Sequence, residues 1–175
     1  HNSDKAIELA LQRAKALGIT GIILPSTSGA TAFKALEMAK GAFKIIVVTS
    51  HAGFDEPFVK AMPDDVWAEL TAKGVAIVRG SHALSGVERG VNKMHGGAYP
   101  VLIIADTLRL LGQGAKVAVE ISVMAADAGV LSGAKVVALG GTHNGVDTAL
   151  VLLPAHMNNF FDLKINEIIC KPFDI

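Results

Sequence analysis

The chain has 175 residues with sixteen basic and sixteen acidic side chains, so its formal net charge is zero. A neutral chain without a run of Lys or Arg lacks the basic surface of a nucleic-acid-binding protein. Hydrophobic residues make up 51% of the sequence, but charged residues interrupt the longest apolar region, 101–124, so we expect no membrane span. At this length we predict a single domain over residues 1–175.

The start of the chain predicts a helix that ends at Gly18, followed by a β-turn-α-β unit. Residues 21–24 form an apolar first strand, and the β-branched residues 45–49 form the second. An alanine-rich amphipathic helix lies between them.

A hydroxyl-rich turn joins the first of these strands to its helix. Free backbone amides and the positive end of the helix dipole point at such a turn, so it suits an anion, above all phosphate. A simpler alternative stays open, in which Thr27 or Ser28 only caps the helix and Gly29 eases the connection. The candidate phosphate ligands are Ser26, Thr27, Ser28, Gly29 and Thr31.

Thr49 and His51 follow the second strand, at the edge where open α/β sheets bind ligands. His51 is interpreted either as a ligand contact or as an ordinary loop histidine. Pro63 begins a further helix that ends at Gly74, and residues 75–78 are predicted to form the third strand.

Residues 79–98 contain five glycines and no regular hydrophobic period. Such a long connection is interpreted either as a lid or binding loop or as a partly helical surface connector. Two helices follow, 99–111 and 116–128, which are apolar on more than one face. Because one sheet cannot cover both, we predict a homo-oligomer.

Glu120 is a carboxylate among apolar neighbours on the second of these helices. A buried carboxylate must be paired, hydrogen-bonded or protonated, which makes Glu120 a candidate for acid–base chemistry or for ligand binding. The alternative is an ion pair with Lys116, one helical turn earlier.

Residues 136–139 and 148–153 are predicted strands whose short connection indicates an antiparallel hairpin. The connection matches neither the dinucleotide-binding fingerprint nor the P-loop, which disfavours both kinds of nucleotide site. Its candidate ligand-binding residues are Gly140, Gly141, Thr142 and Asn144. The predicted fold is therefore α/β, with a mainly parallel sheet, helices on both faces and an antiparallel edge.

The segment after the hairpin places His156 and Asn158 beside Phe160 and Phe161. Polar groups next to aromatic faces suit a flat heteroaromatic ligand, and His156 is a second acid–base candidate. A turn anchored by the two phenylalanines is an equal alternative. Residues 165–170 form the last predicted strand.

Histidine and cysteine positions argue against metals and disulfides. His51, His82, His95, His143 and His156 are scattered without metal-ligand spacing, so no metal site is predicted. The single Cys170 excludes an internal disulfide and predicts a reducing, cytoplasmic compartment.

The turn at residues 26–32, with its helix and the strand at 45–49, looks like part of the C-terminal α/β domain of pyruvate kinase. In that domain a similar turn holds a phosphate of the allosteric sugar bisphosphate. The stretches 81–89, 119–129 and 154–162 extend the resemblance to stand-alone proteins of this kind from archaea and anaerobic bacteria.

This resemblance implies a three-layer α/β/α fold and an additional strand ahead of residue 1. It implies flavin mononucleotide (FMN) as the ligand, with phosphate on the turn and the ring near 140–144 or 156–161. Ala30 replaces an arginine of the pyruvate kinase pattern, which disfavours a sugar bisphosphate. The chain is too short for the catalytic barrel of about 250 residues, so we do not expect a pyruvate kinase. Any reaction stays open, and the alternative is a non-catalytic regulatory or oligomerisation module.

Overall fold

A six-stranded mixed sheet forms the centre of the computed structural model, which describes residues 2–142 and 144–173. The strands are β1 (Gly21–Pro25), β2 (Lys44–Thr49), β3 (Ala76–Arg79), β4 (Val136–Gly140), β5 (Thr148–Leu153) and β6 (Lys164–Cys170). Their spatial order is β3-β2-β1-β4-β5-β6. The first four are parallel, while β5 pairs antiparallel with both β4 and β6. The predicted parallel sheet with an antiparallel edge is confirmed.

Helices cover both faces of this sheet. They are α1 (Asn2–Leu17), α2 (Ala30–Ala39), α3 (Asp64–Ala72), α4 (Gly86–His95), α5 (Pro100–Arg109) and α6 (Gln113–Asp127), with a 3-10 helix at Met157–Asp162. Buried residues of α1, α2 and α3 form the core on one face, and those of α5 and α6 form the core on the other. No helix in the described ranges is long and apolar enough to cross a membrane.

The strands read as continuous apolar runs because both of their faces are buried. In β1, Ile22 and Leu24 belong to the core under α1 and α2, whereas Ile23 belongs to the core under α6. In β2, Ile45 and Ile46 divide in the same way, since successive side chains point to opposite faces of a strand.

Helix α6 is buried over most of its length, from Gly114 to Ala126 with the exception of Val117. One side of it packs on the sheet, and α5 packs against it from outside. The apolar surface of α6 is therefore covered within one chain. Self-association stays a prediction.

The connection between β3 and α5 contains α4, as the surface-connector interpretation expects. None of the α4 side chains is buried, and Val87 and Met94 are 84% and 79% exposed. Two other contacts position the helix. The buried Leu84 lies just before it, and Glu88 on its first turn accepts a hydrogen bond from the backbone N–H of Val101.

Candidate functional site

The carboxyl ends of β1 and β2 and the loop after β4 open into a cleft of about 540 Å³. It is lined by Pro25 at the end of β1 and Ser26 just after it, by Thr49 at the end of β2 and by Gly141 after β4. Residues of α6 and of the segment between β3 and α5 line it as well. Open α/β sheets bind ligands at this edge.

The hydroxyl-rich turn lies in this cleft, and the amino end of α2 begins there. The N-cap residue is Gly29 with φ of 88°, so the helix has no side-chain cap. Ser28 Oγ lies 3.5 Å from the backbone nitrogen of Ala30, which is a weak contact. A Cβ atom on Gly29 would lie 2.4 Å from Cγ1 of Val66, so packing against α3 requires glycine here. The first-turn amides of α2 remain available for an anion.

Thr49 is the most informative residue in the cleft. It lines the cavity, is 1% exposed, and its Oγ1 has no hydrogen-bond partner among the described residues. Leaving a buried hydroxyl unpaired costs about 1–3 kcal/mol. A ligand oxygen in the cleft would remove this cost.

Three cationic side chains reach the cleft from distant parts of the chain: Arg89 on α4, Arg109 on α5 and Lys116 on α6. Glu120 is the single carboxylate among the described lining residues, so the lining has a formal charge of +2 with histidine neutral. The sequence analysis did not assign these cations to the site because they lie about 60 to 90 positions after the turn. Only the fold brings them to it.

Glu120 makes two buried contacts at the back of the cleft. Its Oε2 lies 2.5 Å from Lys116 Nζ, and its Oε1 accepts the backbone N–H of Leu84 at 2.9 Å. The ion pair that the sequence analysis gave as the alternative is therefore present. Burial lowers the pKa of Lys116, while the Glu120 carboxylate acts in the opposite direction.

Aromatic rings form one side of the cleft mouth. Phe54 and His82 both line the cleft, and their ring centroids are 5.0 Å apart. His51 does not line it but packs edge-on against both rings. Burial lowers the pKa of His82, partly opposed by Glu120, so His82 is neutral at pH 7.

Most of the sequence-derived candidates meet in this one cleft. They are Ser26, Thr27, Ser28, Thr31, Thr49, Glu120, Gly141, Thr142 and Asn144. Gly140 is adjacent but packs elsewhere: a Cβ atom there would lie 1.9 Å from the carbonyl oxygen of Gly114. This glycine serves the contact of β4 with α6 rather than close approach to a ligand.

His156 and Asn158 lie at the opposite edge of the sheet. Because β5 is antiparallel to β4, its end at Leu152 pairs with Val136, the first residue of β4. His156 is exposed, and its Nδ1 lies 3.0 Å from Asp127 Oδ1. The two acid–base candidates, Glu120 and His156, therefore do not share a site.

No group of three His, Cys, Asp or Glu side chains within residues 2–142 and 144–173 is arranged to hold a metal ion. His143, one of the histidines considered in the sequence analysis, lies outside the described residues.

Fold and cleft together define an α/β domain with a cleft at the carboxyl edge of its parallel strands. Residues 4–152 match the family model of the pyruvate kinase alpha/beta domain, and the chain belongs to this family. It is also similar to the crystal structure of a pyruvate kinase from Cryptosporidium parvum, with 17% sequence identity and a TM-score of 0.44. That similarity covers 88% of this chain and 23% of the enzyme, so the chain spans less than a quarter of the enzyme's length.

Proposed function

We propose that this chain is a non-catalytic regulatory module that binds a phosphorylated small molecule in the cleft. The observation that carries the proposal is the buried hydroxyl of Thr49, which has no partner among the described residues and lies in the cavity into which the amino end of α2 opens. A phosphate oxygen is a strong acceptor for that hydroxyl and for the free helix amides.

Charge supports the same class of ligand. The described lining residues have a formal charge of +2, in a chain whose overall charge is zero. Phosphate monoesters carry about two negative charges at neutral pH, so ligand and cleft complement each other. Arg89 and Arg109 supply the guanidinium groups that the turn lacks, since Ala30 occupies the arginine position of the pyruvate kinase pattern.

The regulatory role is supported by the family. In pyruvate kinase, the turn that resembles Ser26–Ala32 holds a phosphate of an allosteric ligand. FMN, the ligand implied by the stand-alone relatives, fits within this proposal, with its phosphate on the turn and its ring toward residues 140–144. Phe54 and His82 also line the cleft and offer ring faces to a flat ligand. The proposal does not place the ring near segment 156–161, because that segment lies at the other edge of the sheet.

Paired ligands test the proposal. We would titrate the protein with FMN and with riboflavin, and separately with sodium sulfate against sodium chloride at equal ionic strength. We expect FMN to bind about 100-fold or more tightly than riboflavin, because two or more charge-assisted hydrogen bonds are added. Sulfate should raise the melting temperature where chloride does not. The proposal fails if neither anionic ligand binds, or if riboflavin binds as well as FMN and sulfate has no effect.

A further inference from the structure

We propose that Glu120 is a positioning residue, which acts on the bound anion by holding Lys116 and the backbone of Leu84 at the cleft. This inference rests on the proposed function and gives each of the cleft residues a separate role. The turn and Thr49 receive the anion, Lys116 neutralises it, and Glu120 sets the cation in place without touching the ligand.

The geometry carries the inference. Both side chains of the pair are about 5% exposed, and both line the cleft that contains Thr49. Lys116 has three N–H donors, and its contact with Glu120 occupies one of them. The other two remain available for oxygens in the cavity. Without the carboxylate, the four rotatable bonds of the lysine side chain would leave its ammonium group without a fixed direction.

The second oxygen of Glu120 connects this pair to the segment between β3 and α5. It accepts the N–H of Leu84, a core residue, and Leu84 lies in the turn of residues 83–85 that leads into α4. Arg89 is on the first turns of α4 and lines the cleft. Because no α4 side chain is buried, the helix depends on such anchors for its position. One carboxylate thus fixes two of the three cations.

Charged groups around Lys116 determine how the pair behaves with pH. Glu120 on the same helix favours the ammonium form, whereas Arg109 from α5 and Arg89 from α4 disfavour it. His82 faces it from the segment before α4, and the strand ends opposite contribute the hydroxyls of Ser26 and Thr49. Burial is the largest of these influences and lowers the pKa of Lys116. Without the carboxylate, every remaining influence favours loss of the proton.

The test is a pH series of sulfate affinities, because sulfate keeps its charge where phosphate titrates. Wild type should keep its sulfate affinity to a higher pH than Glu120→Gln, because the carboxylate favours the ammonium form of Lys116. Glu120→Gln should bind sulfate well at pH 6 and lose about tenfold or more by pH 9, as Lys116 loses its proton. Lys116→Met should be weak at every pH, and adding Glu120→Gln to it should cause no further loss.

Glu167→Gln is the matched control, since Glu167 also pairs with a cation, Arg13, but neither residue lines the cleft. It should keep the wild-type profile. A wild-type profile in Glu120→Gln would show a purely structural role and overturn the inference. Absence of sulfate binding in wild type would instead overturn the proposed function.

A measurement on wild type covers the case in which Glu120→Gln does not fold. The side-chain NMR signal of Lys116 should shift as sulfate saturates the protein. The signal of Lys44, which is exposed and bonds to the carbonyl of Val130, should not. A Lys116 signal that ignores bound sulfate would refute the inference on its own.

Discussion

Replacing Thr49 by valine should change stability and ligand affinity in opposite directions. The substitution exchanges an unpaired, buried hydroxyl for a methyl group of similar shape. The free protein no longer has to bury that hydroxyl, whose cost is about 1–3 kcal/mol, so we expect a gain of about 1 kcal/mol in the free energy of unfolding. For a chain of this length that gain corresponds to a rise of about 2–4 °C in melting temperature.

The same change removes a hydrogen bond to the bound anion. A hydrogen bond to an ionised group contributes about 1.5–3 kcal/mol, so the affinity for a phosphorylated ligand should fall about ten- to a hundredfold. Thermal unfolding without ligand and calorimetric titration with FMN or sulfate measure the two effects separately.

Thr148→Val is the matched control for this experiment. Thr148 is equally buried, but its hydroxyl donates to Asp147 Oδ1 at 2.7 Å, and it does not line the cleft. This variant should lose about 1.5–3 kcal/mol of stability and keep its ligand affinity. If Thr49→Val is destabilised in the same way, or if it binds the anion like wild type, the role assigned to Thr49 is refuted.

Five further predictions concern the turn, two helices, one histidine and assembly. Ser28→Ala combined with Thr31→Val should weaken FMN about 100-fold in a titration and leave riboflavin unaffected, whereas equal losses would make the turn a mere helix cap. Gly114→Ala would place a Cβ atom 2.3 Å from Thr148 Oγ1 and should lower the unfolding free energy by about 1–3 kcal/mol in denaturant titrations. Gly90→Ala, in open space on α4, should instead raise it by up to about 1 kcal/mol, and a loss there would contradict the helix assignment. Burial lowers the pKa of His82 in the folded protein. As pH falls below about 6.5, His82 therefore takes up a proton in the unfolded chain before it does so in the folded protein. Wild type should therefore lose stability from pH 7 to pH 5 more steeply than His82→Asn, and identical pH profiles would remove His82 as the cause. Sedimentation at micromolar concentration should show self-association, and a monomer there would count against it.

The fold could be predicted because its signals are local. The runs at 21–24 and 45–49 are apolar at every position, which a strand buried on both faces requires. The short connection between 136–139 and 148–153 permitted only a hairpin, and β4 and β5 form one. Helix α4 gave no clear signal: its apolar side chains stay exposed, and five glycines surround or interrupt them. Such a helix is held by neighbours that the sequence does not reveal.

The candidate site could be predicted only where its residues are adjacent in sequence. The turn at 26–31 was found because hydroxyls, glycine and a helix start follow one another. The cations of the cleft come from α4, α5 and α6, and no local pattern connects them to the turn. The separation of His156 from the turn is likewise not shown by any local pattern, because the position of His156 depends on the direction of β5. A hairpin reverses the chain and moves the next loop away from the ligand edge.

The chemistry of the cleft favours binding over reaction. Glu120 and His156 were the acid–base candidates, and both carboxylate oxygens of Glu120 already hold partners, the Lys116 ammonium and the Leu84 N–H. A general base needs an oxygen within reach of the substrate proton, and this one is instead directed at a cation and a backbone amide. The other polar groups that line the cavity include hydroxyls, helix amides, cations and the imidazole of His82. Such groups suit a bound phosphate, as the proposed regulatory function requires. A loss of ligand affinity in Thr49→Val without loss of stability would connect the proposed phosphate binding to a specific atom.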